Sequence, residues 1–209
     1  IILIWGFTGV IGKELGLLET TAVTIVFYRM LIGFISLFIV LGLLKHKIRI
    51  TKKGIFATLG TGLIIAAHWI TFFKAIQLSN ISLALVFLST TALFTSFIEP
   101  IILKRKYDFK ESLMGITIIV GIAIIANTSS DYYLAMILAL ISALGAAFFS
   151  VINGKLVQEH DPKSITIFEM LGGFIGVAIF FTLTGELNTE TLSIDWKQFG
   201  HLFILGSIC

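Results

Sequence analysis

Long apolar runs and short charged loops alternate along the whole chain. Eight apolar stretches lie near 1–17, 22–44, 54–77, 81–103, 111–127, 133–157, 163–184 and 197–209. A helix needs roughly 20 apolar residues to cross the hydrocarbon of a bilayer, and most of these stretches reach that length. The connections are short, and none could hold a folded soluble domain. The pattern predicts an all-α, polytopic transmembrane helix bundle. The chain opens and closes inside apolar sequence. That reads as a fragment lacking its first residues and a substantial C-terminal part.

Two of the stretches share a motif. Residues 30–35 read Met-Leu-Ile-Gly-Phe-Ile and residues 170–175 read Met-Leu-Gly-Gly-Phe-Ile, identical at five of six positions. An ionisable residue precedes each copy, Arg29 in the first and Glu169 in the second. Five apolar spans separate the starts of the two copies, and an odd offset inverts the second relative to the first. Gly12-Lys13 and Gly154-Lys155 occupy similar places in the two copies. Inverted repeats build many secondary transporters, whose substrate sites lie near the bilayer midplane where the repeats meet.

Charge then orients the spans. The chain is 57% hydrophobic and only 13% charged, against about 25% charged in a soluble domain. Its pI of about 9.0 comes from three loops. One holds Lys45, Lys47, Arg49, Lys52 and Lys53, the next Lys104, Arg105, Lys106 and Lys110, and the third Lys155 and Lys163. The opposite loops hold Lys13 and Lys197 against Glu14, Glu19, Asp131, Glu186, Glu190 and Asp195. By the positive-inside rule the basic loops and the N-terminus are cytoplasmic, and the expected location is the cytoplasmic (inner) membrane. The basicity is thus a topology signal and not a nucleic-acid footprint. Tyr132, Tyr133 and Trp196 fall at the outer interface, where amphipathic rings form a belt. A single cysteine, Cys209, excludes an internal disulfide and a cysteine metal cluster. No metal or cofactor is expected, and no cleavable signal peptide is visible.

Ionisable groups at membrane depth cost free energy and call for a reason. Arg29 lies about 10 Å below the outer surface at 1.5 Å per residue. It either binds helix carbonyls and snorkels outward, or contacts substrate. Glu169 lies at a similar depth below the inner surface, so direct pairing with Arg29 is not expected. Gly172, Gly173 and Gly176 follow it on one stripe, which allows close helix approach or leaves an open cavity wall. In the fourth span Thr91, Thr95 and Glu99 recur every four residues and share a face, bordered by Ser96. The stripe suits a wetted path. Alternatively its hydroxyls bond back to their own helix and Glu99 pairs with Lys104 at the interface. Pro100 cannot donate to the Ser96 carbonyl, which leaves an extra acceptor on that face. In the third span His68 sits beside Trp69 and shares a face with Phe72. His68 is either a coupling-proton carrier or a hydrogen-bonded packing residue. Lys74 snorkels near the outer end of that span. The first span offers Trp5, Thr8, Gly9 and Gly12, and the sixth Ser150 and Asn153.

Trp5-Gly6, Arg29, the stretch Phe-Lys-Ala-Ile-Gln-Leu-Ser-Asn-Ile-Ser at 73–82, and Gly115 with Gly121 together resemble the EamA family of the drug/metabolite transporter superfamily. The resemblance covers the whole chain. It implies ten transmembrane helices in two five-helix inverted repeats, with residues 1–127 as the first repeat and 128–209 as part of the second. It also implies that Trp5 lines a central cavity and that Arg29 supports the fold. The chain departs from the family in the fourth span. Thr90 and Thr91 stand where a proline is usual, and Lys104 and Arg105 where a glutamate is usual. The family's roles for those two residues are therefore not carried over to Glu99.

The resulting expectation is a secondary transporter that moves a small metabolite, an amino acid or related compound, by alternating access. Candidate substrate-binding residues are Trp5, Thr8, His68, Trp69, Phe72, Thr91 and Thr95. Arg29, Glu99 and Glu169 are candidate coupling or structural charges. No nucleotide-binding loop is present, so motive force comes from the solute gradient or from protons. The other partner is the lipid bilayer, with no nucleic acid. Two further readings are a non-transporting membrane scaffold and an intramembrane enzyme. The enzyme reading lacks a nucleophile motif, a His-Glu-x-x-His and a paired-aspartate motif.

Overall fold

The computed structural model describes residues 2–128, 130–184 and 192–208. Its elements are α1 (Ile2–Leu17), α2 (Ala22–Leu43), α3 (Lys52–Leu78), α4 (Ile81–Leu88), α5 (Thr91–Leu103), α6 (Phe109–Thr128), a 3-10 turn (Ser130–Tyr132), α7 (Tyr133–Leu156), α8 (Pro162–Thr184) and α9 (Trp196–Ser207). Among the described residues every regular element is helical, as the pattern predicts. Five segments are long and apolar enough to cross a membrane: Ala22–Leu43, Lys52–Leu78, Ile81–Leu103, Tyr133–Leu156 and Pro162–Thr184. The other three expected spans are helical too. At 16 and 12 residues, α1 and α9 fall short of a full crossing, and α6 has 20.

Polar residues in the loops set where the helices begin. Thr21 caps α2, Thr51 caps α3 and Asn80 caps α4, each accepting from the backbone N–H three residues on at 2.9–3.1 Å. Asp195 and Gln198 form a reciprocal capping box at α9. Such caps satisfy N–H groups that have no partner within the helix. At the ends of α1 and α2, Glu19 and Lys45 adopt left-handed conformations with φ of 62° and 50°. The backbone bonds from Thr20 to Leu15 and from His46 to Leu41 close those ends.

The expected fourth span is broken between α4 and α5. The hydroxyls of Ser89, Thr90 and Thr91 donate to the carbonyls of Val86, Phe87 and Leu88 at 2.6–2.7 Å. Three consecutive back-bonds to the preceding turn bend a helix. They act at the position where the resemblance leads one to expect a proline.

Helix α3 is the hub and packs most extensively on α8 and α7. The glycine stripe of α8 serves close approach. A β-carbon on Gly172 would stand 2.7 Å from the Leu59 Cα, and one on Gly173 would stand 3.0 Å from the Gly62 carbonyl. A β-carbon on Gly62 would overlap the Glu169 carbonyl. In a bilayer such backbone proximity replaces the hydrophobic effect as the packing force between helices.

The two motif copies meet in α2 and α8, and they meet reciprocally. Met30 lies over Gly173, its sulfur 3.0 Å from a β-carbon placed there. Met170 lies over Gly33 at 3.2 Å by the same measure. A second pair of glycine–carbonyl contacts flanks them, though not at the same offset. Gly62 of α3 abuts the carbonyl of Glu169, and Gly206 of α9 abuts the carbonyl of Arg29.

At the end of the bundle carrying the basic loops, the α2–α3 loop is clasped to the start of α8. Asp161 accepts from the Ser164 amide at 2.9 Å and from its hydroxyl at 3.0 Å, and it pairs with His46 Nε2 at 3.0 Å. The Arg49 amide donates to the Ser164 hydroxyl at 2.9 Å. The His46 ring and then the Ser164 amide pull the Asp161 carboxyl down to about 2.

Candidate functional site

Five of the candidate residues come together around the middle of α7. His68 is buried, at 5% exposure. The Ser142 hydroxyl donates to the His68 carbonyl at 3.0 Å, which uses its one proton. His68 Nδ1 lies 2.8 Å from the Ser142 carbonyl and 2.9 Å from its hydroxyl oxygen. Nδ1 must therefore be the protonated nitrogen, donating to α7. On the next residue of α7, the Ala143 carbonyl accepts from Thr91 of α5 at 3.4 Å, besides that hydroxyl's own-helix bond. Adjacent carbonyls of α7 thus receive side chains from α3 and α5. Thr91 thus bonds back to its own helix, as one of its two alternatives had it, and also reaches across to α7.

Aromatic rings surround the histidine. Phe72 stacks on it at 6.3 Å, and Trp69 and Phe149 meet it edge-on at 4.9 and 5.3 Å. Trp69 is stacked on Phe73 at 5.5 Å. The Arg29 guanidinium, on α2, sits 3.9 Å above the Trp69 ring centre. A cation over an indole face is attracted by the ring quadrupole, more so when both are withdrawn from water. At 7% exposure Arg29 is buried among these groups and does not reach a surface.

Helix α1 closes the outer side of this cluster. Its Gly12 lies directly against the Phe73 ring and its Gly9 against Ile81. Thr8 is buried, and its hydroxyl has no hydrogen-bond partner among the described residues. Trp5 belongs to α1, but its side chain lies outside the described residues. Lys13 donates to the carbonyls of Ile76 and Ser79 at 3.2 and 3.0 Å. This places a cation on the free carbonyls at the end of α3, where the helix dipole favours it.

Thr95 and Glu99 belong to a different place. With Ala92, Ser96, Glu111, Gly115 and Ile118 they line an open cleft of about 380 Å³ between α5 and α6. The expected partner of Glu99 is corrected here. Arg105 Nε, not Lys104, bonds Glu99 at 3.0 Å, and Arg105 Nη2 bonds Glu111 at 2.6 Å. Lys104 takes a left-handed conformation with φ 53° after the last turn of α5. That turn of the chain brings the next residue back over the helix end. Ser96 back-bonds to Leu93 at 2.8 Å.

Glu169 stands apart from both groups. It is 4% exposed on α8, and its carboxyl faces the Asn153 side chain of α7. The structure thus sets Arg29 against Trp69 and Glu169 against Asn153.

Sequence reasoning missed Ser142, Phe149 and Arg105. Ser142 is an isolated hydroxyl in an apolar span, and only its place opposite His68 gives it a role. The signal for Arg105 was its spacing, six residues from Glu99 and six from Glu111.

Helices of this length and apolarity, packed through glycines and burying polar groups among themselves, define an integral membrane protein. The model of the EamA-like transporter family matches residues 1–127. The chain belongs to that family, within the drug/metabolite transporter superfamily. Its members are membrane transporters, which agrees with the expectation of a transporter and not an enzyme. No curated protein and no solved structure matches the chain.

Proposed function

We propose that the protein is a secondary transporter that moves a small metabolite, an amino acid or related compound, by alternating access. The observation that carries this is the reciprocal pairing of Met30 with Gly173 and Met170 with Gly33. In this reading two inverted repeats, residues 1–127 and the part of a second at 128–209, meet about that contact and rock against one another. The full architecture is ten helices. The N-terminus and the basic loops face the cytoplasm, and the membrane is the cytoplasmic one.

The substrate site lies at mid-depth, where His68, Trp69, Phe72 and Thr91 meet, with Trp5 and Thr8 of α1 on its outer side. Thr95, Ser96 and Glu99 form a hydrated path from that site toward the cytoplasm, as the open cleft beside α6 supports. Arg29 supports the site by holding Trp69 in place. His68 and Phe72 are buried in this conformation, so it is an occluded state, and opening requires α1 or α7 to move off α3.

A non-transporting scaffold is the second reading, favoured by the same tight burial. Counterflow in proteoliposomes separates the two. Purified full-length protein is preloaded with unlabelled compound and offered a panel of labelled amino acids and small metabolites. Exchange confined to one chemical class, and lost in Trp69→Ala, supports transport. A folded protein that exchanges none of them supports the scaffold.

A further inference from the structure

Glu169 is the polar group whose surroundings satisfy it least. It is buried on all sides, seven residues inside α8, or roughly 10 Å along the helix at 1.5 Å per residue. The Asn153 side chain is its polar neighbour, and its Oε1 has no hydrogen-bond partner among the described residues. On the other side of the same pair, Asn153 Oδ1 is also buried without a partner among the described residues. Both orphaned atoms are acceptors, and they belong to two side chains that lie against one another. A carboxylate and an amide have two acceptor oxygens too many for one amide donor. A single added proton removes both deficits.

The groups that could otherwise neutralise the charge are engaged or remote. On α2, Tyr28 donates to the Leu192 carbonyl and Arg29 lies over Trp69. On α3, His68 is bonded to Ser142, and Lys52, Lys53 and Lys74 are exposed. On α7 and α8, Lys155 and Lys163 are exposed too. The ion pairs among the described residues, His46–Asp161 and Arg105 with Glu99 and Glu111, do not include Glu169. An ionised carboxylate held in such a place without a counter-charge is strongly disfavoured.

We propose that Glu169 and Asn153 form an intramembrane proton-binding pair that couples proton binding to the docking of α8. In the form seen here one proton, taken from the aqueous phase, makes Glu169 a neutral acid. Its Oε1–H donates to Asn153 Oδ1 while the Asn153 amide donates to the other carboxyl oxygen. Loss of that proton to water leaves a carboxylate that must be hydrated. The contact of Glu169's turn with Gly62 of α3 then has to loosen toward the end of the bundle that carries the basic loops. This rests on the transport reading above for its role in a cycle, while the proton site itself does not.

The test is an infrared titration of full-length protein in liposomes, from acid to alkaline pH, with the proton as the only ligand. Expected is a protonated-carboxyl band that is lost in Glu169→Gln and shifts in frequency in Asn153→Leu, where the acceptor is gone. Size-exclusion profiles verify that both variants fold, and the wild-type band is informative without either. A band unchanged in Glu169→Gln overturns the proposal. So does a carboxylate signature that persists at every pH and responds only to sodium, which would make the pair a cation site. In transport, Glu169→Gln is expected to lose the stimulation of uptake by a pH gradient, and full retention of that stimulation overturns the coupling. Absence of any exchange by the wild type strikes the transport reading, while the infrared titration still decides for or against the proton-binding pair.

Discussion

Met170 of α8 covers Gly33 of α2, its sulfur 3.2 Å from where a β-carbon on that glycine would stand. Shifting both residue numbers by the offset of the shared motif, in opposite senses, gives Met30 over Gly173, a contact the structure also contains. A contact that maps onto itself in this way is what a two-fold relation between segments generates. It gives each methionine the same task, to fill with a flexible side chain the gap left by a glycine opposite.

Gly60 and Gly62 of α3 are expected to respond oppositely to alanine. In Gly62→Ala the new methyl meets the Glu169 carbonyl, which is backbone and cannot swing aside. Separating α3 from α8 to make room is expected to cost about 1–3 kcal/mol, the range for overpacking. Gly60 has nothing within 4 Å of its own β-carbon position. Gly60→Ala is expected to be neutral or to stabilise by up to about 1 kcal/mol through helix propensity. Thermal unfolding of the purified variants in detergent distinguishes the two.

Ser142→Ala removes the hydroxyl between His68 and α7 but leaves the Ser142 carbonyl for Nδ1–H. The loss is expected to be modest, about 0.5–1.5 kcal/mol, as for one net hydrogen bond. His68→Leu keeps the Ser142 hydroxyl's bond to the backbone carbonyl of residue 68 but forfeits the ring's bond to α7 and its aromatic contacts. It is expected to lower the unfolding temperature more than Ser142→Ala does.

The clasp at the basic end is expected to be acid-labile. Asp161 ionises lower when folded than its ordinary 3.8, at about 2. A group with a depressed folded value contributes stability above the unfolded value and loses it as pH falls through the folded one. The contribution is therefore whole above about pH 4 and gone near pH 2. Hydrogen exchange at the start of α8, followed across that window, is expected to rise in the wild type. In Asp161→Asn the dependence disappears.

Replacing Ser89, Thr90 and Thr91 together by alanine removes the three back-bonds at the α4–α5 break. The bend is expected to straighten, because the carbonyls of the preceding turn are then free for ordinary helix bonds. Spin labels placed near the far ends of α4 and α5 report this as a lengthened distance. An unchanged distance would assign the bend to packing against α7 instead.

The order of the segments was legible because periodicity and length are local properties. The starts of α2, α3 and α8 fall within two residues of the expected spans because apolar length sets them, while the caps that fix them, Thr21, Thr51 and Asp161, were found only in the structure. The break at Ser89 was harder to read, because three hydroxyls in a row look like any polar interruption until their acceptors are known. The glycine stripe after Glu169 was open between a cavity wall and a packing face. Gly172 and Gly173 pressed on the α3 backbone decide for packing, and that depends on which helix lies opposite. The stripe of Thr91, Thr95 and Glu99 was legible as a single face, yet the structure divides it. Thr91 turns to α7, while Thr95 and Glu99 open toward α6.

By itself, the sequence determined that this chain is a bundle of apolar helices with basic loops at one end, that two of its segments repeat, and that it belongs among the EamA-like transporters. Those conclusions rest on hydrophobic spacing, loop charge and motif, which each residue carries wherever the chain goes. Only the tertiary structure decided that Arg105 holds Glu99, that Ser142 fixes His68, and that Asn153 is the partner of Glu169. The physical reason is that a polar group inside a bilayer must find its partner within the protein, and that partner stands on another helix or on a loop folded back over the helix end. Which helix that is depends on how glycines and methionines let the backbones approach.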